Sequence, residues 1–458
     1  MTHLEQDKIL LNKMLEKDFY KSFRDGEKSL EIFLTGKCKA NCEYCYLKKN
    51  QNSLYPLSID NDKLIIENVE KILKWYVKNE FCCKIDIFSG EWLTSSLRDP
   101  ILTLFYETFK DLPADKKPPL ILCADNMQFV KDDKTAAQVQ AWMRKLLSIG
   151  IDLRPSASVD GKYCDYGRTE CDDSYYNRLF SFMNANNILA HPMVSSSNVK
   201  DWIKNYDWWL DTAPSDIAEG LMMLEVRDQT WDDESIEHLL AFLNHKIDRM
   251  YNEFFHQDKT EFLKYVLDMK NSVIKHSSYN NIALHNTAID VNKDYNSCSI
   301  SMSVLCIRAG DLSFNLCHRT SYEELEIGKF NLDENGEILD MEPTNIALYI
   351  LKKYTKRSTS PHCEKCAFVG VCVGPCLGNS YENYKNLLVP TKEVCEMYKI
   401  KNTFLINKYY QMGLFEKFPE VYSEMRPQYY NYLVNLINHV VQGGNEDGNN
   451  EISCGNSC

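Results

Sequence analysis

Between residue 30 and about residue 275, apolar runs of strand length alternate with stretches whose apolar residues recur every three or four positions. The runs fall at 30–34, 83–88, 120–124, 151–159, 188–194 and 221–226. Helical spacing fills 61–79, 96–110, 135–148, 174–187, 201–211 and 233–253. In the first of these helices Leu64, Ile65, Val69, Ile72, Leu73 and Tyr76 share a face, with Asp60 or Asn61 placed to cap its start. Gly150 stops the third. This alternation predicts parallel strands with crossover helices packed outside them. Six such units predict an open, partial (β/α)6 barrel in an α/β fold, with its chemistry at the C-terminal ends of the strands.

Beyond residue 277 the periodicity fades and cysteines crowd together. The chain divides on this pattern into a helical extension (1–28), the partial barrel (29–276), a small cysteine-rich domain with little core of its own (277–400), a helical segment (401–442) and a disordered Gly-, Asn- and acid-rich tail (443–458).

Composition narrows the class. With 458 residues, 44% hydrophobic and 26% charged, the chain is long enough for two or three domains of ordinary globular makeup. A formal net charge of −13 argues against a nucleic-acid partner held by phosphate attraction. Residues 2–25 are charged and lack an apolar signal core, and no run is long enough to span a membrane. A cytoplasmic protein is expected. Its eighteen cysteines then point to metal binding rather than disulfides.

Three of them stand on one loop directly after the first strand, Cys38-x3-Cys42-x2-Cys45, with Tyr44 before the last. Three thiolates on a short loop hold three irons of a cubane cluster and leave the fourth iron open for a ligand. A zinc knuckle would need a fourth ligand nearby, and none follows within the loop. The spacing and its strand context resemble the cluster loop of the radical S-adenosylmethionine (SAM) enzymes. That resemblance implies that the open iron chelates the methionine end of SAM and that a 5′-deoxyadenosyl radical abstracts a hydrogen.

A second array reads Cys363-x2-Cys366-x5-Cys372-x3-Cys376, trailed by Cys395 and preceded by Cys298, Cys306 and Cys317. Eight cysteines suffice for two further 4Fe-4S clusters; two structural zinc sites are the other reading. The array resembles the SPASM domain found behind the barrel in radical SAM peptide-modifying enzymes. By that resemblance one auxiliary cluster takes Cys298, Cys306, Cys317 and Cys376, and the other Cys363, Cys366, Cys372 and Cys395. Gly310 stands seven residues before Cys317, where the family hairpin has a glycine five before. Cys82, Cys83 and Cys123 read as core, Cys164 and Cys171 as structural, and Cys454 and Cys458 lie on the tail.

The second strand ends in Ser89-Gly90-Glu91-Trp92, similar to the family's Gly-Gly-Glu-Pro; Ser89 and Trp92 depart from it. By resemblance this segment receives the methionine ammonium, and a carboxylate suits that charge. Ser158-Val-Asp160-Gly161 with Arg168 resembles the Ser-x-Asp-Gly…Arg pattern of SPASM-type enzymes and implies contacts from Ser158 and Arg168 to the SAM ribose or carboxylate. A helix cap for Asp160 with a surface Arg168 is the lesser reading. Tyr44 would lie against the adenine. Ser196, Ser197 and Asn198 are weaker candidates, and Glu225 with Arg227 either lines the substrate cavity or forms a buried ion pair.

The resemblance implies an oxidoreductase that modifies a ribosomally made peptide through a thioether or carbon–carbon crosslink. Formylglycine formation, as in the anaerobic sulfatase maturases, is the first alternative. Those enzymes place an aspartate base after the second hairpin cysteine, where this chain has His318 and Arg319, read here either as proton acceptor and peptide anchor or, equally, as a structural pair beside the cluster. A non-catalytic metal-binding module is the other alternative. The expected partners are a precursor peptide and a reductant such as flavodoxin or ferredoxin, with no nucleic acid or membrane. About 28 residues precede the first strand, so leader recognition would need another surface or a separate protein.

Overall fold

A computed structural model describes residues 24–25, 29–165, 167, 172–221, 223–227, 229–249, 304–343, 366–370, 376–387, 389–417 and 427–446. They fall into two compact units: Met1–Gln229 with Ile300–Tyr354, and Thr230–Ser299 with Thr355–Cys458.

The first unit is built on strands β1 (Ser29–Thr35), β2 (Lys84–Ser89), β3 (Leu120–Asp125) and β4 (Asp152–Ala157), which lie side by side in parallel. They are connected through helices α1 (Tyr46–Leu54), α2 (Asp62–Lys78), α3 (Arg98–Phe109) and α4 (Asp133–Leu147). Every residue of β1 is buried, as the nearly continuous apolar run of a central parallel strand requires. The apolar stripe of α2 packs inward, and Asn61 caps it by accepting a hydrogen bond from the Leu64 amide. Asp60, the other candidate cap, is used elsewhere: its carboxylate accepts from the Thr35 hydroxyl at 2.7 Å and the Gly36 amide at 3.1 Å.

Helix α5 (Asp173–Ala185) leads to β5 (Met193–Val194), and α6 (Trp202–Thr212) leads to β6 (Leu224–Glu225). These two strands pair in parallel with each other and meet β4 through one bridge, Ala157 to Ala190. Among the described residues six strands, β1 to β6, are therefore present with helices between them and a break between the fourth and fifth strands; the helix that follows β6, Asp233–Asp248, belongs to the second unit. The predicted runs at 188–194 and 221–226 shorten to two-residue strands, although Ile188, Leu221 and Val226 are buried.

On the other side of β1 the sheet continues through residues in which the sequence pattern showed no regular element. Strand β7 (Val304–Arg308) pairs in parallel with β1, and β8 (Ser313–Asn315), β9 (Glu326–Leu332) and β10 (Ile338–Pro343) follow antiparallel. The eight-stranded order is β10-β9-β8-β7-β1-β2-β3-β4.

The second unit contains α7 (Asp233–Asp248), α8 (Leu377–Tyr384), α9 (Lys392–Gln411) and α10 (Pro427–Glu446). Ile247 packs with Leu405, Tyr409, Leu414 and Phe415, and Phe368 packs with Ile406, Leu436 and Val440. Helix α10 continues through Gly443 and Gly444, into the stretch expected to be disordered; residues 447–458 lie outside the described residues. Among the described residues no helix is long and apolar enough to cross a membrane.

Candidate active site

The cysteine loop leaves the C-terminal end of β1. Cys38 is open to solvent, Cys42 and Cys45 are half-buried, and Cys45 stands at the start of α1. Two backbone bonds tie the loop to the end of β2: Gly90 N donates to Thr35 O at 3.1 Å, and Glu91 N to Lys37 O at 2.9 Å. Glycine is needed here, because a Cβ on residue 90 would lie 2.2 Å from Lys37 O and 2.6 Å from the Cys38 Cβ. Although Cys38 touches solvent, desolvation on its protein side pushes its thiol up to about 12; a backbone contact from Ala40 opposes this, and Glu91, Cys42 and Cys45 add to it. A bound cation reverses that cost by favouring the thiolate.

Glu91 is 4% exposed. Its Oε1 accepts from the Thr94 hydroxyl at 3.4 Å, while Oε2 is buried without a hydrogen-bond partner. Burial, followed by the charge of Asp125, pushes its carboxyl up to about 9. Asp125, the last residue of β3, is raised to about 7 by burial, and its Oδ2 also lacks a partner, as does Ser89 Oγ. Its other oxygen accepts from the Met127 amide at 2.6 Å. Asp125 was missed in the sequence, where the third run closes at Ala124; an acid at the C-terminal end of a parallel strand was the available signal.

Ser158 reaches this group through its backbone, its amide donating to Asp125 O at 2.8 Å. Arg168 lies outside the described residues, while its neighbour Gly167 accepts a hydrogen bond from the Asn41 amide at 2.7 Å. The Tyr44 hydroxyl donates to Asp160 Oδ2 at 2.6 Å. At the end of β5 the Ser196 amide and hydroxyl both donate to Gln229.

Cys306 lies within β7, paired in register with Glu31 of β1, and Cys317 follows β8; both are buried. His318 stacks on Phe88 with ring centroids 3.8 Å apart, and its Nδ1 lies 3.2 Å from Glu31 Oε2. Arg319 is buried, its guanidinium 3.8 Å from the ring centroid of Tyr46, the residue after Cys45. In the second unit Cys366, Cys376 and Cys395 are half-buried. Asn379, one turn after Cys376, donates at 3.2 Å to Thr391, one turn before Cys395. Cys298, Cys363 and Cys372 lie outside the described residues.

No family model matches the chain. In sequence it is 24% identical over 401 residues to the radical SAM cyclopropyl synthase TigE of Paramaledivibacter caminithermalis, covering 83% of this chain and 74% of that one. In fold it resembles native anSMEcpe with bound AdoMet, at a TM-score of 0.51 and 14% identity over 84% of this chain and 98% of that one. In sequence and in fold the likeness is to radical SAM enzymes. Streptococcus suis SuiB bound to S-adenosylmethionine also matches, at a TM-score of 0.42 and 14% identity over 80% of this chain and 74% of that one.

The residues fit the groups that a radical SAM enzyme uses. Buried carboxylate oxygens without partners stand beside the cysteine loop, as a ligand bearing an ammonium requires. Among the described residues no three or more His, Cys, Asp or Glu converge tightly enough to hold a single metal ion. A cubane makes no such demand, since each thiolate binds a different iron.

Proposed function

We propose that this enzyme modifies a ribosomally made precursor peptide by hydrogen abstraction, closing a carbon–carbon or thioether link. The observation that carries the SAM site is the pair of buried, unpartnered carboxylate oxygens on Glu91 and Asp125. Cys38, Cys42 and Cys45 would hold an iron–sulfur cluster, which when bound would supply the electron for SAM cleavage. Glu91, with Ser89 and the backbone at Gly90, takes the methionine ammonium, and Asp125 adds a second acceptor for it. Ser158 and Arg168 are assigned to the ribose or carboxylate, and the ring of Tyr44 to the adenine. His318 stands as the proton acceptor: a hydrogen on Nδ1 directed at Glu31 leaves the Nε2 lone pair free. Arg319 remains the assigned peptide anchor, acting from its stack on Tyr46.

Sequence likeness to an enzyme named for making a cyclopropyl group favours carbon–carbon closure, because a three-membered carbon ring is completed by a carbon–carbon bond. The sulfatase-maturase alternative gains only the shared fold. Two auxiliary 4Fe-4S clusters are assigned to Cys298, Cys306, Cys317 and Cys376, and to Cys363, Cys366, Cys372 and Cys395. They would accept the electron left after hydrogen abstraction. A flavodoxin or ferredoxin is the proposed reductant.

Reconstituted protein should hold roughly twelve irons per chain, about four per cubane. Replacing Cys38, Cys42 and Cys45 together by alanine should remove about four and abolish release of 5′-deoxyadenosine. Iron content unchanged in that variant would refute the loop assignment.

A further inference from the structure

Asp160 is fully buried just beyond the end of β4. Its carboxylate is shared between two distant parts of the chain. Oδ2 accepts from the Tyr44 hydroxyl at 2.6 Å, and Oδ1 accepts from the Met193 amide at 2.7 Å. Its backbone is fixed as well, since the carbonyl oxygen accepts from Asn205 Nδ2 at 2.7 Å and from Trp209 Nε1 at 3.2 Å, both on α6. The chain then turns at Gly161, where φ is +108° and a Cβ would lie 2.5 Å from Trp209 Nε1. Only glycine passes that point without moving its neighbours.

The location gives these bonds their meaning. The main sheet ends at β4, and one bridge joins it to the β5–β6 pair. Met193 is the first residue of β5. Tyr44 immediately precedes Cys45. Asp160 thus joins the end of β4, the start of β5 and the cysteine loop at a place where the ladder itself gives almost no support. A second tie runs from the same segment. Gly167 accepts from the Asn41 amide at 2.7 Å, with φ at +70° and room for no Cβ, which would lie 2.5 Å from Asn41 O. The loop is therefore fastened on both sides of Cys42, by Asp160 and by Gly167.

We propose that Asp160 is a positioning residue for the cysteine loop, holding Tyr44, and through it Cys45, across the gap between β4 and β5 before any cluster is assembled. This deepens the reading that Cys38, Cys42 and Cys45 carry the radical cluster, and rests on it. The 2.6 Å separation is that of a hydroxyl donating to a carboxylate. The hydroxyl of Tyr44 is thereby engaged by the protein, and its ring is what it offers to SAM.

The test uses the full chain, metal-free and reconstituted, with Tyr44→Phe, Asp160→Ala, Asp160→Asn and the double variant Tyr44→Phe/Asp160→Ala. Hydrogen exchange across residues 38–46 of the metal-free chain should quicken about ten-fold in Tyr44→Phe and in Asp160→Ala, the scale of one hydrogen bond. The double variant should exchange no faster than Asp160→Ala, because both changes cut the same bond. Asp160→Asn, which keeps an oxygen acceptor, should fall between parent and alanine. After reconstitution, the change that SAM induces in the electron paramagnetic resonance signal of the reduced protein should weaken in Tyr44→Phe while its far-ultraviolet circular dichroism stays that of the parent. Unchanged exchange in both single variants, or effects that add in the double variant, would overturn the proposal. If Asp160→Ala does not fold, Tyr44→Phe decides alone, since it removes one hydroxyl from a partly exposed residue. The exchange measurement needs no metal, so it judges the clamp separately from the cluster: iron retained by the triple cysteine variant refutes the cluster reading and leaves the exchange result standing.

Discussion

Glu91 and Asp125 are buried acids whose charged forms the metal-free protein disfavours, and this gives the site a pH signature. Asp125 moves from an ordinary 3.8 to about 7, and Glu91 from 4.5 to about 9. Desolvation is the first cause for each, and the charge of Asp125 is the second for Glu91. Between the ordinary and raised values the unfolded chain has released a proton that the folded chain keeps. More protons bound in the folded state means that stability falls as pH rises through that window, and levels off above it. Asp125→Asn removes the charge and keeps an oxygen for the Met127 amide. The melting temperature of the metal-free variant should therefore lie above the parent's at pH 8 and converge with it near pH 4, as measured by thermal denaturation across the range. Curves parallel throughout would show that Asp125 ionises without penalty. The sequence displayed Glu91 within a motif. Asp125 carries no motif, and its importance comes from burial beside a second acid, which local pattern does not encode.

Among the elements, β1 to β4 and the helices between them were legible because each has a strong period and a neighbour close along the chain. Apolar runs at 188–194 and 221–226 report burial rather than pairing. Ile188 and Leu221 are covered without joining a ladder, so the strands shrink. The run Val304-Leu305-Cys306-Ile307 was hidden for a different reason. Its partner is β1, some 275 residues earlier, and its cysteine suggested metal scaffolding rather than a strand. Turns that hold the site give a sharper test of the arrangement. Gly90→Ala forces a Cβ against the Lys37 carbonyl and the Cys38 Cβ, neither of which yields without moving the loop. The expected cost is about 1–3 kcal/mol from overpacking, together with faster loss of iron to a chelator. Gly150→Ala is the control, with φ at +86° and nothing within 4 Å of the added carbon; only backbone strain of about 1 kcal/mol applies there. A Gly90→Ala protein that melts no lower than Gly150→Ala would show that the loop does not depend on this close approach.

Across the whole molecule, sheet membership does not follow the order of the chain. The first unit closes with residues 300–354, after the chain has passed through 230–299 in the second. Local periodicity cannot reveal this, since a strand's pattern does not name its neighbour. Strand β7 covers one edge of β1 and β2 the other, and the Ala309 amide donates to Phe33 O at 2.9 Å beyond the last paired residue. Asn68 of α2 donates to Ala309 O at 2.8 Å. Arg308 donates to Leu54 O at 3.2 Å and Ser321 O at 2.7 Å, and pairs with Asp311 and Glu326. The hairpins are thus bound into the structure that carries the cysteine loop. A chain ending at residue 276 keeps all six strands β1 to β6 and loses β7. That exposes an edge of β1 whose residues are otherwise all buried, and an uncovered apolar edge pairs with other chains. Such a chain should aggregate and show no cooperative melting, while the full chain stays dispersed under the same conditions, as size-exclusion chromatography and thermal denaturation would report. A monomeric fragment with a cooperative transition would show that β1 to β6 fold without β7, and that the hairpins are an attachment rather than part of the same sheet.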